Sequence, residues 1–217
     1  MNERAASGPL SGIRVMEFGQ VLAGPYVGLM LADQGAEVIK IEPPTGDPSR
    51  GYMPPNVDGH SPYFLSMNRN KLGVCLNLKT PAGRDAVLAM VAKVDVVTEN
   101  FRTGVMDRLG LGYDAMKAIN PGIIYCAVSG YGRSGPFADR AGYDPIAQAE
   151  SGMMEMSGEP NGEPTRIGAS VVDMATGMFA AQAITAALYA RKQGGEGQLV
   201  EASLFGTALN MLCNFSG

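Results

Sequence analysis

The sequence predicts an α/β fold built on a doubly wound parallel sheet. Short apolar, β-branched runs alternate with helix-like stretches, and the runs are apolar throughout rather than alternating with polar residues. That pattern marks strands buried on both faces, as in a parallel sheet with helices above and below.

The elements follow in order. A strand is read over 13–18, then a helix from Pro25 through Gln34, with proline fixing φ in its first turn and Gly35 ending it. A second strand covers 36–41. The stretch 43–62, broken repeatedly by proline and glycine, reads as a long surface loop without regular structure. A shorter strand over 72–76 precedes a helix that starts at Thr80-Pro81 and runs through Lys93. Strands over 95–98 and 123–128 lead into an irregular segment, 129–142, and a Met-rich helix around 146–156. A long Ala-rich helix spans 173–192 and stops at Gly194-Gly195. Residues 199–203 read as a strand and 204–215 as an apolar helix with nothing to pack against, so the chain reads as truncated.

At 217 residues and 46% hydrophobic content the chain can bury a sizeable core. A net charge of −4 provides no general attraction for nucleic acid or an anionic membrane, so an anionic ligand must be bound locally. The first ten residues hold no apolar segment of the kind a signal peptide needs, and no later stretch reads as long and apolar enough to span a bilayer. A cytoplasmic protein is expected. Cys75, Cys126 and Cys213 are widely spaced with no CxxC pair, which favours buried free thiols over disulfides or a structural zinc site.

Several segments could carry chemistry. Residues 15–25 form a strand, a tight turn and a helix start, which would place small residues and free amides at the carboxyl edge of the sheet. The turn lacks GxGxxG, so packing alone could require it. Asp173, ahead of the long helix, either caps that helix or serves as a partly desolvated carboxylate that attacks a thioester carbonyl. The cations of Asn68-Arg69-Asn70-Lys71, with Lys79, Arg102 and Arg108, are either solvated surface or a cradle for phosphates. Phe101 could stack on an adenine or fill the core. His60 is the only histidine and falls in the Pro/Gly-rich loop, so histidine-based catalysis and metal binding would both depend on it. The methionines read as adaptable core filler, and no metal is called for.

Taken in order, VLAGP (21–25), AEVIKIEPP (36–44), NLKTPAG (77–83), VVTENF (96–101), INPGIIYCAVSGYG (119–132), GYDPIAQAESG (142–152) and the Asp173 segment resemble the family III CoA-transferases over almost the whole chain. The resemblance implies a Rossmann-like large domain, of which residues 1–217 are the N-terminal part, without the smaller domain and the C-terminal return segment. It implies coenzyme A or acyl-CoA as substrate, a small carboxylic acid as co-substrate, and an interlaced homodimer for a full-length protein. Asp173 matches the nucleophile that forms an aspartyl anhydride and then an aspartyl-CoA thioester. Leu22, Ala23, Leu76, Lys79, Asn100, Phe101, Arg108 and Leu109 match CoA-binding positions, and Tyr143 and Asp144 should lie near the reacting centre. Leu22 and Pro43 replace the glutamine and arginine of formyl-CoA transferases, which speaks against formyl or oxalate transfer. Two alternatives are a racemase acting on α-methylacyl-CoA and an inactive CoA-binding fragment. The racemase is disfavoured because its GHD-type motif reads Gly142-Tyr143-Asp144 here.

Overall fold

The computed structural model describes residues 8–213. Six strands form one parallel sheet: β1 (Arg14–Glu17), β2 (Glu37–Glu42), β3 (Lys71–Cys75), β4 (Val96–Glu99), β5 (Ile124–Ser129) and β6 (Leu199–Ser203), in the order β3-β2-β1-β4-β5-β6. The order reverses direction between β1 and β4, so the loops after these strands diverge and leave a crevice at the carboxyl edge.

Each face of the sheet supports its own apolar cluster. On one face, α1 (Ala23–Asp33) and α8 (Val171–Lys192) pack over Val15, Val38, Val96, Ile124 and Cys126. On the other, lower face, Met16, Val97, Tyr125 and Ala127 are joined by residues of α3 (Pro81–Val91), α4 (Val105–Arg108) and α5 (Tyr113–Ile119). The inner strands β1, β2, β4 and β5 thus bury both sides, which is why their sequences do not alternate, whereas the edge strands β3 and β6 stay partly exposed. Helices α1 and α8 cross closely: a Cβ on Gly177 would come within 2.9 Å of the Tyr26 ring.

Other elements depart from expectation. The 43–62 stretch is not wholly irregular: Asp47 accepts a hydrogen bond from the Ser49 amide and caps a 3-10 turn over Pro48–Gly51. Ser61 then caps α2 (Pro62–Asn68), a helix the sequence pattern did not announce. The Met-rich helix is two short ones, α6 (Asp144–Glu150) and α7 (Met153–Met156), separated at Gly152, whose φ of 85° interrupts the helix. The helix over 204–215 is α9 (Leu204–Met211), and it does have partners: Leu204, Thr207 and Ala208 are buried and the helix packs on α6 and α8. Residues 214 and 215 of that expected helix lie outside the described residues.

Two further corrections concern burial. Helix α8, at 22 residues with a mean hydropathy of 1.4, is long and apolar enough to cross a membrane by length and composition. The long run of alanines between small apolar residues produces that average, and in this fold half of the apolar stretch is buried against its neighbours. Of the three cysteines, Cys126 is buried, whereas Cys75, on the edge strand β3, and Cys213 are exposed.

Candidate active site

The crevice predicted by the strand order holds a cavity of about 180 Å³. Its walls come from the turn after β1 (Gln20, Val21, Leu22, Ala23), the turn after β4 (Asn100, Phe101, Arg102, Thr103), and the end of β5 with the 129–142 segment. Tyr143, Leu204 and Asp173 complete it. Six of the residues singled out in the sequence as site candidates besides the nucleophile therefore meet Asp173 in one place: Leu22, Ala23, Asn100, Phe101, Arg102 and Tyr143. Asn100 spends its side-chain amide on the Gln20 backbone, accepting from its N–H at 2.8 Å and donating to its carbonyl at 2.9 Å. It thereby clips the two turns together across the cavity. Phe101 is half-buried, packed against the lower core cluster while lining the cavity, so both roles foreseen for it are open to the same ring.

Asp173 is in the first turn of α8 and does not cap it. The cap is supplied from outside: the buried Asp144 carboxylate accepts hydrogen bonds from the amides of Val172 (2.8 Å) and Asp173 (3.1 Å). Asp144 also accepts from the Gln148 side chain, whose oxygen takes the Ile167 amide at 3.0 Å. With these amides satisfied by Asp144, the Asp173 side chain remains half-buried at the cavity wall. Burial, reinforced by the Asp144 charge, pushes its pKa up from 3.8 to about 7. The Tyr63 phenol of α2 responds to the same charges: burial, and then the charge of Asp173, raise it to about 12.

The other candidates lie elsewhere. Leu76 and Leu109 do not reach the cavity and pack against the lower core cluster, where Phe101 also packs. Lys79, in the turn after β3, and Arg108, at the end of α4, are exposed. Lys71 is not a surface cation: its side chain is 2% exposed and bonds the Glu17 carboxylate at 2.8 Å. Arg69 pairs with Asp33. His60 is exposed in the loop and is not part of the cavity lining. Among the described residues no group of three His, Cys, Asp or Glu side chains is placed to hold a metal ion.

Sequence reasoning missed Tyr63 and a buried charge cluster beneath the β1 turn, formed by Glu17, Lys40, Asp47 and Lys71. Charged residues within or beside apolar runs were the available signal. Which of them would meet was not.

A model of CoA-transferase family III matches residues 10–216. Succinate–glutarate CoA-transferase of Agrobacterium fabrum is 45% identical over 213 residues, covering 95% of this chain and 53% of that protein. Acetyl-CoA:oxalate CoA-transferase of Acetobacter aceti is 46% identical over 207 residues, covering 94% and 53%. Among solved structures, a CAIB/BAIF family protein from Brucella suis superimposes with a TM-score of 0.92 at 44% identity, covering 95% of this chain and 56% of that one. The chain spans about half the length of the curated relatives it matches.

Proposed function

The chain belongs to CoA-transferase family III, and from that premise we propose that it carries the nucleophile-bearing part of an enzyme that moves CoA from an acyl-CoA to a free carboxylic acid. The observation that supports this most directly is the position of Asp173. It is a half-buried carboxylate on the wall of the carboxyl-edge cavity, with its own amide and that of Val172 tied to Asp144.

In this reading a side-chain oxygen of Asp173 attacks the thioester carbonyl, the C–S bond breaks, and CoA leaves as thiolate, giving an aspartyl mixed anhydride. The thiolate then attacks the aspartyl carbonyl and releases the donor acid, leaving an aspartyl-CoA thioester. The acceptor carboxylate repeats these steps in reverse and restores Asp173. The activated acyl group is conserved throughout, provided water is kept out. A raised pKa suits the task, because a more basic carboxylate is the stronger nucleophile once ionised.

The CoA contacts are assigned on the same basis. Leu22, Ala23, Asn100 and Phe101 would flank the thioester arm. Lys79, in the turn after β3, and Arg108, at the end of α4, both exposed, would take the phosphates, with Leu76 and Leu109 as the apolar floor beside them. Tyr143 would meet the acyl group, and Asp144 would act through Asp173. The acids named for the Agrobacterium fabrum relative, succinate and glutarate, are short dicarboxylates, so an acceptor of that class is proposed here too. Because the relatives are about twice as long, we propose that this chain corresponds to the N-terminal part of the large domain and that the active enzyme is a cytoplasmic homodimer with a second, smaller domain.

The test is CoA and acyl-CoA binding by calorimetry beside acyl transfer to succinate or glutarate, followed by mass spectrometry of the protein. A CoA adduct on Asp173, absent from Asp173→Ala, supports the reading. Trapping by hydroxylamine on another carboxylate refutes it.

A further inference from the structure

The turn that forms one wall of the cavity contains a strained residue. Val21 has φ of 65°, a left-handed conformation that a β-branched side chain adopts only when its surroundings compel it. Its backbone N–H points at the carboxylate of Asp47, 3.3 Å from each oxygen. Asp47 is 2% exposed and is itself held on two sides: by the Lys40 ammonium at 3.0 Å, and by the Ser49 hydroxyl and amide at 2.7 and 2.9 Å. The same Lys40 ammonium donates to the Gly19 carbonyl at 2.6 Å, so one buried cation holds both ends of the Gly19–Val21 bend, directly and through Asp47.

We propose that Asp47 is a positioning residue for this site: its carboxylate, locked by Lys40, holds Val21 in the left-handed turn that presents Leu22 and Ala23 to the cavity. Three features of the site converge on it. The Asp47–Lys40 pair is buried, at a desolvation cost that a role in fixing the turn's geometry would account for. Glu17 accepts from Lys40 at 3.2 Å and is paired in turn with Lys71, so the cluster carries two cations and two carboxylates and is electrically balanced. The backbone of Asp47 is tied to Glu42 at 2.9 Å, and Glu42 holds Arg50, whose guanidinium lies 3.8 Å from the centre of the Phe64 ring in α2. The Pro/Gly-rich loop, the helix that carries Tyr63 and the cavity wall are thereby one mechanical unit with Asp47 at the joint.

A double-mutant cycle tests this on the full chain, with CoA as the probe. The CoA readout rests on the proposed function; the exchange readout described below does not. Asp47→Asn keeps the shape but loses the charge that Lys40 and the Val21 amide share, and should weaken CoA binding about tenfold. Glycine takes positive φ freely, so in the Val21→Gly background the same Asp47→Asn change should cost less than about threefold. A residue with a general stabilising role would cost the same in both backgrounds, and that result would overturn the proposal. Independently of CoA, hydrogen exchange on the wild-type chain should show the Val21 amide protected, and Asp47→Asn should raise its rate at least about tenfold relative to the β4 amides. An unprotected Val21 amide in the wild type also overturns it, even if Asp47→Asn does not fold. If the wild type fails to bind CoA, the proposed function is what fails, and exchange alone then decides the role of Asp47.

Discussion

Asp144 and Asp173 are joined by a hydrogen bond from the backbone amide of one to the side-chain carboxylate of the other, at 3.1 Å, while their two carboxylates repel. One contact fixes where the nucleophile candidate stands, and burial, reinforced by that repulsion, sets when it ionises. Both functions can be separated by substitution.

The first prediction concerns pH. Between 3.8 and about 7 the folded chain holds a proton on Asp173 that the unfolded chain has lost. Folding stability therefore falls as pH rises through that window and is level above it. Asp173→Asn should match the wild type near pH 4 and exceed it by on the order of 2 kcal/mol at pH 8. Transfer by the proposed mechanism, in which the Asp173 carboxylate attacks, should rise with pH to a midpoint near 7. Urea denaturation and initial rates over pH 4–9 check both curves; a stability difference independent of pH contradicts the first.

Asp144→Asn should move that midpoint toward acid, because an amide still accepts a hydrogen bond but no longer repels the Asp173 charge. Asp144→Ala loses the cap as well and should cost about 1–3 kcal/mol of stability. NMR titration of Asp173 in the Asn variant, and thermal melts of the Ala variant, read the two effects apart.

Charge removal at Lys79 or Arg108 should weaken CoA binding roughly fivefold each at low ionic strength and noticeably less at 0.5 M salt, where screening is stronger. Calorimetric titrations at two salt concentrations suffice. Equal affinity of both single variants and the wild type would remove these residues from the phosphate site.

A fourth prediction is structural. A Cβ on Gly28 would fall 1.7 Å from Glu17 Oε2, inside the buried charge cluster. Gly28→Ala should therefore destabilise the chain by about 3 kcal/mol or more, as α1 or the Glu17 carboxylate is forced to move. The thermal midpoint of this variant, compared with Gly51→Ala at an open position, provides the check.

The sequence by itself determined the sheet. Apolar runs such as Ile124–Ser129 leave no face for solvent, which a parallel sheet covered on both sides provides for, and proline and glycine breaks separate the strands from the helices between them. The ordered motifs marked Asp173, Leu22, Ala23, Asn100, Phe101 and Tyr143, which the fold gathers around one cavity, and also Leu76, Lys79, Arg108, Leu109 and Asp144, which do not line it. Tertiary structure alone decided what each polar group faces. Glu17, Lys40, Asp47 and Lys71 come from three strands and a loop and meet through sheet register and chain reversal, contacts for which local sequence carries no signal. The same holds for the start of α8. Asp173 looked like its cap, but a carboxylate 29 residues earlier in the chain had taken the amides, and that distant hydrogen bond is what leaves the Asp173 side chain at the cavity wall.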